Sequence, residues 1–257
     1  MIAPKKEPAL QKNKLLDPRL TFEAFVPGGR SHAACRLAKS IAAAPGAGHN
    51  PYVIWGGIGL GKSHLLHAIG NAMQRENPRA RVLVTSGEQF VKECEQAART
   101  KRVGAFRARY REIDCLLFKD IQFLIAQKAP EGELIHIVDE LLGARKQIVF
   151  TSDRAPEDLA PLDRRLVALL KSGAASEIMS PDLKTRLAIV RTKCALERFP
   201  LSPAVTRFVA ESITRNVRSI EGALIRLKAF QSMTQKRISA ADASSILKYA
   251  ISADRAV

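Results

Sequence analysis

Tyr52-Val53-Ile54-Trp55-Gly56-Gly57-Ile58-Gly59-Leu60-Gly61-Lys62-Ser63-His64-Leu65-Leu66-His67-Ala68-Ile69 is the stretch that decides the fold of this 257-residue chain. Its first four residues, apolar and rich in aromatic and β-branched types, read as a buried strand. The eight residues from Gly56 to Ser63 then fit G-x-x-x-x-G-K-[ST], and His64 to Ile69 read as a helix start. Strand, glycine turn and helix together give the pattern its meaning. Gly56, Gly57, Gly59 and Gly61 let the backbone curl until its N–H groups converge on phosphate at the positive end of a helix. Lys62 is placed to reach β- and γ-phosphates, the Ser63 hydroxyl to hold a magnesium ion, and His64 is also among the expected cofactor-binding residues. The chain is expected to bind a nucleoside triphosphate.

Working outward, residues 80–86 read as a second strand, 88–112 as helix in two pieces around Val103-Gly104, and 114–118 as a third, fully buried strand. Residues 131–144 read as helix and 147–152 as a fourth strand. Strands alternating with helices predict an α/β fold, with a parallel sheet covered on both faces. On the N-terminal side, residues 1–17 read as a flexible basic arm, 20–26 alternate until Pro27-Gly28-Gly29 breaks the pattern, and 31–44 are helical. Beyond Ser180-Pro181 the strands stop. Four helix-length segments, 182–197, 203–214, 217–232 and 239–250, predict a small all-helical second domain.

Bulk composition narrows the setting. Lys and Arg total 41 against 25 Asp and Glu, a formal charge of +16 that raises the prior for a polyanionic partner. No run approaches 18 consecutive apolar residues, and the charged, proline-punctuated start has no apolar stretch behind it, so neither a membrane span nor a secretory signal is expected. Cys35, Cys94, Cys115 and Cys194 lack metal or redox spacing, as inert thiols in a reducing, cytoplasmic setting would. The five histidines form no ligand pattern.

The plan of a phosphate loop in a parallel sheet with a trailing helical domain is that of the AAA+ P-loop NTPases. The segments 21–26, 50–65, Asp120-Ile121-Gln122-Phe123-Leu124, Thr151-Ser152-Asp153-Arg154, 181–186 and 216–224 resemble the bacterial replication initiator DnaA family, in its order and close to its spacing. That resemblance covers residues from about 18 to 250. It implies an AAA+ nucleotide-binding α/β domain over 18–178, a helical lid over 179–257, ATP or ADP as cofactor, and a replication initiator or other AAA+ subunits as partners. It also implies that Lys62 and Ser63 serve phosphate and magnesium, that Asp153 lies in the segment sensing the γ-phosphate, and that Arg218 reaches from the lid to the nucleotide.

Two departures stand out. Where the family has two aspartates after the third strand, one for magnesium and one positioning the attacking water, this chain has Lys119-Asp120. An ammonium beside Mg²⁺ is repulsive, so either magnesium binds weakly or Lys119 neutralises phosphate in its place. Asp120 keeps the water-positioning place but is not expected to replace the metal ligand, because adjacent strand residues point to opposite faces. The second departure is Leu169, which stands where the family carries an arginine finger. Lys171 and Arg165 are the nearby cations that could stand in. Weak or absent hydrolysis is therefore expected. Arg99, Lys101, Arg102, Arg107, Arg109 and Arg111 form a basic helical segment, which the family uses to touch single-stranded DNA; a basic groove tracking phosphates supplies such binding. No segment beyond the lid is left for a duplex-reading domain, so this chain alone is not expected to recognise origin boxes. The alternative readings are a slow ATPase of helicase-loader type, or a basic single-strand-binding module with a vestigial nucleotide site.

Overall fold

The alternation of strands and helices is present in the computed structural model, which describes residues 16–29 and 31–255. Nearly all of the expected basic arm lies outside the described residues. The elements run α1 (Ser31–Ala43), β1 (Tyr52–Trp55), α2 (Lys62–Glu76), β2 (Val82–Ser86), α3 (Gly87–Arg99), α4 (Val103–Arg111), β3 (Cys115–Lys119), α5 (Lys128–Gly143), β4 (Gln147–Ser152), α6 (Arg164–Ser172) and β5 (Ala174–Glu177). Four helices come after the sheet: α7 (Leu183–Leu196), α8 (Pro203–Ser212), α9 (Val217–Thr234) and α10 (Ala240–Arg255).

The strands form one five-stranded sheet in the order β2-β3-β4-β1-β5, with every pairing parallel. A parallel sheet must be covered on both faces, and the side-chain alternation of β3 shows how. Cys115 and Leu117 join the core beneath α1 and α2, whereas Leu116 and Phe118 join the core beneath α3 to α6. β5 was not expected from the sequence. Ala174-Ala175-Ser176-Glu177 has no buried residue and no apolar pattern, and it is a strand because β1 offers it a register, from Tyr52 opposite Ala174 to Trp55 opposite Glu177.

Residues 20–26 form turns and loop despite their alternation. Their backbone groups are satisfied by side chains of α2 instead of by a neighbouring strand: Asn71 donates to the carbonyls of Asp17 (2.8 Å) and Leu20 (2.9 Å). This strap lies along α2 just below the phosphate loop. The C-terminal helices have a core of their own, built on Val190, Val205, Val209, Ile220, Leu227 and Leu247. Asp182, Ser202 and Asn216 cap the first three of them, each side chain accepting the N–H three residues on. Such caps contribute about 1 kcal/mol apiece.

Candidate functional site

Because all strands run the same way, the C-terminal ends of β1, β3 and β4 deliver the phosphate loop, Lys119-Asp120 and Asp153 to one edge of the sheet. Between this edge and the start of α9 lies a cleft of about 440 Å³. Its walls are Gly59, Gly61, Lys62, Ser63 and His64 from the loop and α2, Asp120, Gln122 and Phe123 after β3, Asp153 after β4, and Val217, Arg218 and Glu221 from α9. A larger hollow of about 630 Å³, around His49, Asn50 and Arg145, lies elsewhere and shares none of these residues.

The loop has the curled backbone the sequence implied. Gly56, Gly59 and Gly61 have φ of 143°, 77° and 106°, and α2 begins at Lys62, so the free N–H groups of its first turn face the cleft. The Lys62 ammonium is anchored by the carbonyls of Gly56 (2.6 Å) and Gly57 (2.8 Å). Burial pulls its pKa below the ordinary lysine value; Asp120 and Asp153 oppose that, while Arg218 adds to it. Asp153 is gripped by Arg154 through two bonds, at 2.8 and 2.9 Å, and that hydrogen bonding is the main reason its carboxyl lies below the usual range. Arg218 lines the cleft from the lid side. Its own backbone N–H donates to the Gly59 carbonyl at 3.2 Å, joining lid and phosphate loop directly.

His64 and His67 sit on α2 as expected, and both are structural clamps. His64 Nε2 lies 2.8 Å from the Thr21 carbonyl, which can only accept, so this nitrogen carries the proton. Its ring meets Phe25 edge-on at 5.3 Å. His67 Nδ1 accepts the Asp17 N–H at 3.2 Å and must be unprotonated. Burial, with repulsion from Lys119, lowers its pKa from 6.5 to about 4. The unfolded chain therefore binds this proton first, and folding stability falls as pH drops from about 6.5 to about 4. Urea unfolding at a series of pH values should show a loss of about 2–3 kcal/mol across that window, and His67→Gln, which keeps an acceptor for Asp17, should remove it. Asp17, held down to about 2 chiefly by its Arg19 partner, acts only at lower pH.

One sequence expectation needs correction. Asp120 is not confined to the far face of β3. It follows the strand's last residue with φ 58° and ψ 60°, a left-handed turn that ends the strand alternation and brings it into the cleft. Its backbone N–H is held by Thr151 Oγ1 at 2.9 Å. The position that the family resemblance gives to a metal ligand fits magnesium poorly. Mg²⁺ wants carboxylates and oxygens in octahedral order, yet the end of β3 presents Lys119, half-buried and without an ion-pair partner among the described residues. Asp153 is taken by Arg154, which leaves Asp120 and the Ser63 hydroxyl as the oxygen groups on the sheet and loop side of the cleft.

Leu169, at the position that the family resemblance gives to an arginine finger, packs half-buried against the core beneath α3 to α6. Arg165 is exposed and paired with Asp139 at 3.1 Å, and Lys171 is exposed. The basic segment divides in two. Arg107 pairs with Glu133 (2.7 Å), Arg109 with Glu93, and Arg111 with Glu140 (2.7 Å), all on neighbouring helices. Arg109 also lies over the rings of Tyr110 (5.2 Å) and Phe106 (5.8 Å). Arg99, Lys101 and Arg102, around the α3–α4 turn, are exposed and have no ion-pair partner among the described residues. Gln122, Phe123, Val217 and Glu221 also line the cleft, although the motifs did not single them out; all four lie inside the segments that carried the resemblance. All four cysteines are buried, and no described helix is long and apolar enough to cross a membrane.

The sequence pattern of the bacterial DnaA ATPase domain matches residues 16–177. The chromosomal replication initiator protein DnaA of Magnetococcus marinus is 41% identical over 243 residues, which is 94% of this chain and 54% of that relative, so the chain spans about half its length. Domain III of the Thermotoga maritima replication initiation protein DnaA superposes with a TM-score of 0.89 at 37% identity, covering 92% of this chain and 98% of that one. A replication initiator DnaA bound to AMPPCP and single-stranded DNA is 33% identical, with a TM-score of 0.76 and coverage of 86% and 69%. With its phosphate loop, parallel sheet and helical lid in the same arrangement, the chain belongs to the bacterial DnaA family and corresponds to its AAA+ ATPase domain.

Proposed function

We propose that this chain is a DnaA-type subunit that binds ATP or ADP and acts in replication initiation, or its control, by joining other AAA+ subunits through its nucleotide face and ending their assembly at its α6 face. The observation that carries this reading is the cleft in which Lys62, the curled phosphate loop and the lid residue Arg218 converge. Ser63, the backbone of His64 (its ring being held by Thr21) and Asp153 complete its nucleotide-facing set. Leu169 supplies the asymmetry. An arginine finger contributes roughly 10³-fold or more to phosphoryl transfer by placing a cation on the neighbour's transferring phosphate. A leucine packed against its own core supplies none of that.

Hydrolysis by the chain itself is weak in this reading. Asp120 can still orient a water in the cleft, but Lys119 leaves the metal position without a carboxylate. Single-stranded DNA, present in a related DnaA structure, is assigned here to Arg99, Lys101 and Arg102, since the other three arginines already hold carboxylates.

The test is assembly of a full-length initiator on single-stranded DNA with ATP, followed by light scattering as this chain is added below stoichiometric amounts. Shortened assemblies, and relief of that shortening by Leu169→Arg, are expected. Unchanged assembly size would overturn the capping role. Magnesium-dependent turnover by the chain alone, lost in Lys62→Ala, would favour a slow ATPase of helicase-loader type.

A further inference from the structure

We propose that Lys119 takes the place of the magnesium ion, so that this chain binds ATP through a built-in ammonium and without a metal. The inference deepens the nucleotide-binding reading and rests on it.

The geometry comes from the backbone and from side-chain packing. Lys119 is the last residue of β3 and shares the face of Cys115 and Leu117, the face that packs on α2. Leu117 is level with Gly70 of α2, where an added Cβ would come within 2.7 Å of Leu117 Cδ1. Two residues further along the strand is a rise of ~6.7 Å. On α2, which runs back against the strands, that rise corresponds to four or five residues at ~1.5 Å each. Lys119 therefore starts near the level of Leu65 and Leu66, one turn below Ser63. Its four-carbon stem can cover that turn, ~5.4 Å, and bring the ammonium to the Ser63 hydroxyl and the mouth of the loop. In the structure the Lys119 side chain is close enough to His67, one turn below Ser63 on the same helix, to repel its protonated form, and it does not line the cleft, so reaching the Ser63 hydroxyl takes a swing of about one turn along α2 toward the arriving phosphate.

The electrostatics point the same way. Lys119 is half-buried, and no carboxylate pairs with it among the described residues. A cation kept partly out of water without a counter-charge is costly unless an anion arrives to meet it. A triphosphate is such an anion. Lys62 from the loop, Arg218 from the lid and Lys119 from the end of β3 would then surround it on three sides. Against these stand Asp120, already close enough to Lys62 to act on it, and Asp153, held by Arg154. The remaining carboxylate of the cleft, Glu221, is paired with Lys193 at 2.6 Å. No bond is made or broken in this proposal; it concerns binding alone.

The experiment is isothermal titration of the whole chain with ATP, in buffer containing magnesium and in buffer containing EDTA. Wild-type affinity is expected to agree between the two within about twofold, and Lys119→Ala should weaken ATP binding in EDTA by roughly tenfold, the scale of one lost charge contact in a half-exposed site. Lys119→Asp should lose more in EDTA and recover at least about tenfold when magnesium is added, because it restores an oxygen ligand. The wild-type comparison needs no variant to fold. Wild-type binding that falls by about tenfold or more in EDTA would overturn the substitution of lysine for metal while leaving nucleotide binding intact. A loss confined to magnesium buffer in Asp120→Asn would overturn it as well, by making Asp120 the metal ligand. Absence of ATP binding in both buffers would overturn the nucleotide reading itself.

Discussion

Lys62→Ala is expected to weaken ATP binding by at least about a hundredfold while leaving the fold in place. A buried charge-assisted hydrogen bond to phosphate contributes about 1.5–3 kcal/mol, and each 1.4 kcal/mol is a factor of ten. Lys62 also carries part of the charge balance for the whole phosphate group, which moves the expected loss to the upper end. The ammonium bonds the Gly56 and Gly57 carbonyls, at 2.6 and 2.8 Å, and Lys62 itself lines the cleft, so truncating it opens a path by which water can reach those two acceptors. Far-ultraviolet circular dichroism should therefore match wild type while titration calorimetry with ATP goes flat. An affinity within about threefold of wild type would mean that the loop does not hold the nucleotide.

A large stability effect is expected at Gly56. Its φ of 143° lies where side-chain-bearing residues are strained, and a Cβ there would stand 2.3 Å from the Ile178 carbonyl oxygen. That oxygen belongs to backbone held just beyond β5, where Ile178 N–H donates to Trp55 at 2.8 Å. It cannot swing aside as a side chain could. Gly56→Ala should cost about 3 kcal/mol or more, from backbone strain and from forcing β1 and the β5 edge apart. For a protein of this size the loss corresponds to a fall in Tm of roughly 6–12 °C by differential scanning calorimetry. A fall below about 2 °C would show that the loop relaxes freely.

Much of this was legible in the sequence, and the parts that were not have definite physical causes. The buried strands β1, β3 and β4 announced themselves as apolar runs, since burial on both faces leaves no room for polar alternation. β5 did not, because Ala174-Ala175-Ser176-Glu177 owes its conformation to the edge of β1. Residues 20–26 misled in the other direction, their alternation being captured by α2 side chains. Asp120 was placed by a rule for strand residues, and the left-handed turn that removes it from the rule leaves no mark in composition. The basic segment was legible as charge but not as free charge. Its counter-ions, Glu93, Glu133 and Glu140, sit 16 to 29 residues away, on the far side of helix boundaries. Lys62 and Ser63 were legible from local spacing around a loop and a helix start, and Arg218 from the family resemblance; the structure brings all three to one cleft.

The separate core of α7 to α10 has a thermodynamic corollary. These helices bury their apolar residues against one another, and they meet the sheet layers largely through local touches such as Arg218 on Gly59 and Thr185 beside Gly28. Two cooperative units joined by so little can open at different free energies, with the lid yielding while β1, β3 and β4 stay protected from hydrogen exchange. A molecule that bridges Lys62 and Arg218 adds its binding energy only when both units are closed. It would therefore fuse two melting transitions into one, making nucleotide occupancy a setting of cooperativity as well as of stability.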